Sequence, residues 1–149
     1  MLLTSANVPE YLSENSLCQA SDINQLFIKA VPAKNFNLLI TFTDNRQILV
    51  KQERHDKQGN TANEFQREYR IQDFVKQFNL GANFSSLLPE VIHFDRDNSI
   101  IVFNYLNEYR DLSEFYQQEK NFSPEIADHL GKIVATIHWT LDKEQKQFA

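Results

Sequence analysis

Glycine is scarce: three residues in 149, at positions 59, 81 and 131, against an average usage of about 7%. Any phosphate-holding loop built on clustered glycines has to be reconciled with that count, because the backbone approaches phosphate freely only where side chains are absent. Cysteine is scarcer still, with Cys18 alone. That excludes an intrachain disulfide and a cysteine-based zinc site, and suits a reducing cytoplasm. The first twenty residues lack a basic start and an apolar stretch of signal-peptide length, and no segment reaches the ~20 apolar residues of a membrane span. A soluble, unexported, cytoplasmic chain without a membrane partner is the expectation. Positive charge is also short: the formal net charge is -5 and the basic residues are dispersed, so nothing marks a nucleic-acid partner. What is present is globular in character. Hydrophobic residues make up 42%, charged residues 23%, and twelve phenylalanines argue against disorder. The length suits one domain of ordinary size.

Asn7 can cap a short helix that offers Tyr11, Leu12 and Leu17 on one face to buttress a sheet. Residues from Ile23 to Val31 read as a strand, broken by Pro32-Ala33-Lys34-Asn35. Phe36, Leu38, Ile40 and Phe42 then alternate with Asn37, Thr41 and Thr43, a period of two that predicts a second strand. Asp44-Asn45-Arg46 is a tight turn into a third strand from Gln47 to Gln52. Glu53 to Asn60 reads as a polar surface loop. A helix follows, opened by a capping box of either Thr61 with Glu64 or Asn63 with Gln66, and runs to about Phe78 with Asn79 and Gly81 as stop signals. Pro89 to Phe94 and Ser99 to Phe103 read as a hairpin around Asp95-Arg96-Asp97-Asn98. Asp111 or Ser113 can cap a short helix, and Ser123-Pro124-Glu125 opens a longer one whose stripe is Ile126, Leu130, Ile133, Val134, Ile137 and Leu141, with fraying expected after His138.

The helix after Thr61 puts Glu64, Glu68, Ile71, Val75 and Phe78 in one line at 3.6-residue spacing. An acid in line with core residues costs several kcal/mol, roughly, unless it is paired. Lys51, at the end of the apolar run Ile48-Leu49-Val50, is the natural partner. A strand lysine held by a helix glutamate serves in kinase-like folds to position the α- and β-phosphates of a nucleotide. The competing account is that both are solvated, as charged side chains mostly are. Two other motifs are set aside. His93-Phe94-Asp95 spells a His-x-Asp but precedes a strand, and Asp73-Phe74 lies mid-helix, where a metal-binding loop conformation is unavailable. His55, His93, His129 and His138 have no zinc-site spacing.

The order of elements resembles the N-terminal lobe of the aminoglycoside phosphotransferase and choline kinase superfamily, of protein-kinase-like fold, and is locally similar to methylthioribose kinase. The residues that carry the likeness are Asn35-Phe36-Asn37-Leu38, Val50-Lys51-Gln52, Arg67-Glu68, Pro89 to Asp95, and Leu130-Gly131-Lys132, spread from about Val8 to His138. The resemblance implies an α+β architecture: a five-stranded antiparallel sheet with one packed helix over 1–106, then a hinge and one or two helices of an incomplete second lobe over 107–149. It implies ATP as ligand, with Lys51 on the phosphates and Glu68 holding it. The main chain at Asn104, Tyr105 and Leu106 would read adenine, with Phe103 at the inner edge. Ala33 to Asn37 would be the phosphate loop; it departs from the family in having no glycine, so either Lys34 substitutes a side-chain contact beside Asn37 or it is a solvated turn lysine, as such residues mostly are. Magnesium is implied by the family, yet no catalytic or metal-binding aspartate follows in the expected place. The expectation is therefore an ATP-binding lobe of a small-molecule kinase acting on an alcohol, truncated or split and inactive alone. The alternative is a catalytically dead regulatory or interaction module, with a protein covering the last helix.

Overall fold

Turn chemistry organises the sheet. The computed structural model describes residues 1–77, 88–121 and 123–147. Strands β1 (Phe27–Ala30), β2 (Phe36–Thr41), β3 (Gln47–Gln52), β4 (Val91–Asp95) and β5 (Ile100–Asn104) form one antiparallel sheet in the order β1-β2-β3-β5-β4. The β2–β3 turn closes through Phe42 N–H donating to the Arg46 carbonyl at 2.9 Å, with Asn45 at a left-handed φ of 66° that Asn tolerates. At the β4–β5 turn the Asp95 carboxylate accepts from the Asn98 main chain at 3.0 Å and its side chain at 2.7 Å. His93-Phe94-Asp95 is thus strand and turn.

The first strand is shorter than its sequence suggests. Ile23–Gln25 is a 3-10 turn, and the sheet begins only at Phe27. Asp22 draws the chain into local bonds, accepting from Gln19 N–H at 3.1 Å with its side chain and from Gln25 N–H at 2.8 Å with its carbonyl. Such local acceptors compete with a ladder.

Alternation assigns the two sheet faces. Leu38, Ile40, Ile48, Val50, Ile100 and Val102 are buried on one face under helix α1 (Val8–Glu14), which contributes Val8, Tyr11 and Leu12. Asn7 precedes α1 without capping it by side chain; it bonds back to Thr4 and Leu2 instead. Gln52, 2% exposed, accepts from Leu3 N–H at 2.8 Å and donates to the Met1 and Asn98 carbonyls at 2.8 and 3.0 Å, holding the N-terminal segment to the sheet. The other face meets helix α2 (Glu64–Gln77) through Phe65, which packs with Val91, Ile101 and Phe103.

The phase of α2 differs from the expected stripe by one residue. Phe65, Gln72 and Val75 are buried, whereas Ile71 is 59% exposed. An aromatic at 65 contributes more apolar area than an acid at 64, so the helix turns Phe65 inward. Glu68 lies within both stripes. Neither expected capping box forms, and the stop signals Asn79 and Gly81 lie outside the described residues.

Contacts divide the chain into two units, one of Met1–Phe74 with Pro89–Leu106 and the other of Val75–Leu88 with Asn107–Ala149. The second holds α3 (Leu112–Glu119) and α4 (Pro124–Gln147). Asp111 is the cap of α3, accepting from Ser113 N–H at 2.7 Å and Glu114 N–H at 3.2 Å. Ser123 caps α4, whose helix continues past His138 to Gln147. Among the described residues no helix is long and apolar enough to cross a membrane.

Candidate functional site

Two adjacent rows of side chains line the α2 face of the sheet. One runs Leu39, Leu49, Phe103 and Val91; the next runs Asn37, Lys51, Ile101 and Phe94, by direct cross-strand pairing. Lys51 therefore projects beside apolar and aromatic neighbours. Its ammonium stands 4.8 Å from the Phe103 ring centroid and 5.8 Å from that of Phe65, distances at which a ring face attracts a cation. Glu68 approaches from α2, with Oε1 3.9 Å from Lys51 Nζ, the two side chains 38% and 26% exposed. A pair this long and this wet is worth under ~1 kcal/mol to stability. Its geometry leaves the ammonium available to a further anion.

Residues at the edge of this cluster complete its charge. Lys34, on the β1–β2 turn and 75% exposed, forms an ion pair with Glu64 in the first turn of α2. That hydrogen bond holds the Glu64 carboxyl below its ordinary value. Glu53, expected in a surface loop, is instead 3% exposed. Being two residues beyond Lys51, it continues the β3 alternation onto the α2 face, where its Oε1 accepts from Glu64 N–H at 2.6 Å. It caps α2 in place of the expected boxes. An acid there also suits the helix dipole. Its Oε2 and the Asn37 Oδ1 are buried without a hydrogen-bond partner. The cluster so assembled holds two ammonium groups, Lys34 and Lys51, among three carboxylates, Glu53, Glu64 and Glu68.

The expected hinge follows directly from β5, but two of its amides are committed to the sheet. Asn104 pairs with Ile48, so its side chain lies on the α1 face, and its amide donates to the Glu90 carboxylate. Its main-chain N–H donates to the Glu90 carbonyl at 3.0 Å, and that of Tyr105 to the Gln47 carbonyl at 3.1 Å. These two amides serve the sheet and are not available as donors to a ligand. Tyr105 and Leu106 are 40% and 48% exposed. The β1–β2 turn, with Ala33, Asn35 and Asn37, lines a cavity of about 260 Å³ that also contains Arg54.

Of the site residues read from sequence, Lys51, Glu68, Asn37 and Phe103 converge, and Lys34 reaches the preceding turn of α2 through Glu64. Asn104 and Leu106 lie past Phe103 at the end of β5. Glu53, Glu64 and Phe65 went unmarked as members of the site; continuing the β3 alternation one step past Gln52 would have found Glu53. Among the described residues no group of three or more His, Cys, Asp and Glu side chains is placed to hold a metal ion. No protein-family model matches this sequence, and no curated protein is similar enough to register as a match.

Proposed function

We propose that the first unit is a nucleotide-binding lobe of kinase-like type, in which Lys51 neutralises and positions phosphate oxygens while Glu68 orients it. The observation that carries this reading is the convergence of the strand lysine and helix glutamate at 3.9 Å beside Phe103. The half-buried pair Leu39 and Leu49, next to Phe103 on the same face, offers an apolar surface for a base. Three strands in sequence, a helix, a hairpin and an exposed segment follow in the order on which the family resemblance rests.

The charge balance shapes what would bind. The Arg67 guanidinium acts on Glu64 and Arg54 stands in the adjoining cavity, so the local charges nearly cancel, and a nucleotide gains most by entering as its magnesium complex or by displacing Glu64 from Lys34. In this reading the ion is carried in on the phosphates, since the described residues supply no metal-holding cluster. The acceptor alcohol is recognised elsewhere.

The same charge balance favours a second reading, a dead interaction module derived from this fold. Thermal unfolding with Mg-ATP and with ADP separates the two. Binding to the native state raises stability by about 2.7 kcal/mol at a ligand concentration of 100 Kd, and Lys51→Met should remove most of the shift. Loss of one charge-assisted contact weakens affinity by roughly 10- to 150-fold. No stabilisation of the wild-type protein at millimolar nucleotide gives the interaction module precedence.

A further inference from the structure

We propose that Glu53 is a positioning residue which, by tying α2 to β3, sets the distance between Glu68 and Lys51. The inference rests on the reading of those two as the working ion pair of the site. Two contacts and two stretches of chain form a closed circuit. Lys51 and Glu53 share one face of the extended β3 segment, two residues apart. Glu53 Oε1 accepts from Glu64 N–H at 2.6 Å. Glu64 and Glu68 are successive turns of one helix, and Glu68 returns to Lys51 at 3.9 Å. The last contact is at the outer limit of an ion pair, so a slip of the helix by an ångström breaks it.

The neighbourhood of Glu53 is built to hold it still. Its N–H donates to the Ser99 carbonyl at 3.1 Å, fixing the strand end against the β4–β5 turn, and Thr61 and Ser99 hydroxyls meet at 3.1 Å. Asn63 takes a left-handed φ of 55° and its carbonyl accepts from Arg67 N–H at 3.3 Å, closing the first helical turn. The Glu64 N–H is one of the orphan donors of the helix start, and the Glu53 side chain, just past β3, satisfies it. The buried Oε2 has no partner. An amide oxygen would offer the same acceptor as Oε1. Glu53→Gln therefore keeps the tie, while Glu53→Leu removes it.

The test reads Lys51 directly, without nucleotide. In isotopically labelled protein the Lys51 side-chain Cε and Nζ resonances, assigned by their loss in Lys51→Arg, are followed through a pH titration. Glu68→Gln gives the signature of a broken pair. Glu53→Leu should move the Lys51 resonances to the Glu68→Gln positions, and Glu53→Gln should leave them within the wild-type range. If Glu53→Leu fails to fold, Glu53→Asp, whose shorter arm withdraws the acceptor, should shift Lys51 in the same direction by a smaller amount. Wild-type Lys51 resonances in a folded Glu53→Leu or Glu53→Asp, or a Glu53→Gln that matches Glu68→Gln, overturn the proposal. So does a Glu68→Gln indistinguishable from wild type, because no pair then exists in solution. Absence of nucleotide binding alongside the expected resonance shifts would refute the nucleotide reading alone.

Discussion

His93 shows how a residue set aside as a ligand still governs behaviour. It lies on β4 opposite Val102, packs edge-on against Tyr11 with centroids 6.1 Å apart, and has its Nε2 buried without a partner. Burial lowers its pKa from the ordinary 6.5, and the Asp95 carboxylate opposes that shift in part. Asp95 in turn faces the Tyr11 hydroxyl at 3.5 Å, and burial raises the Tyr11 pKa. A histidine held neutral in the fold binds fewer protons than in the unfolded chain across the interval between its two pKa values. Stability is thus present above pH 6.5 and falls as pH drops through that interval. Urea midpoints should decline between pH 7 and pH 5.5, and His93→Gln should flatten that limb. The carboxyls held low by hydrogen bonds, Asp56, Glu64 and Glu125, act further down, below their ordinary values of 3.8 to 4.5. An unchanged slope in His93→Gln would place the acid sensitivity elsewhere.

Helix α2 is the element whose orientation decides the site. Its apolar residues allow two phases one residue apart, and the burial of Phe65 against Val91, Ile101 and Phe103 selects the observed one. Glu68 faces Lys51 in either phase, which is why that pair was legible in the sequence although Ile71 was assigned to the wrong side. Chemical denaturation can check the phase. Phe65→Ala should cost about 3–5 kcal/mol as a buried aromatic deletion, whereas Ile71→Ala, at 59% exposure, should stay within about 0.5 kcal/mol. Equal losses at the two positions would contradict the orientation on which the Lys51–Glu68 distance depends. The helix start at Glu64 falls where the Asn63 register puts it, but its cap was not legible, because it comes from a residue eleven positions upstream, just past β3. No local pattern such as a capping box encodes a contact of that kind.

At the scale of the whole molecule apolar side chains lie exposed in both units, Phe27 and Ile71 at 68% and 59% in the first. The sheet unit buries Leu38, Ile40, Ile48, Val50, Ile100, Ile101 and Val102 almost completely, while on α4 Leu130, Val134 and Trp139 are 45%, 50% and 62% exposed. Apolar exposure of this extent should bind an anilinonaphthalene dye at neutral pH. Val134→Glu with Leu130→Glu should lower the dye signal without shifting the unfolding of the sheet, and an unaltered signal would assign the dye to another surface. The sequence alone determined the three successive strands and the later hairpin, the alternation that sends Lys51 and Gln52 to opposite faces, and the acid on α2 that shares a line with core residues. Those follow from local periodicity and turn chemistry, which act over a few residues. Tertiary structure alone decided the burial of Glu53, the engagement of Lys34 by Glu64, the assignment of the Asn104 and Tyr105 amides to the sheet, and the 3.9 Å between Lys51 and Glu68. Each depends on contacts between separate elements of the chain, which no local preference encodes.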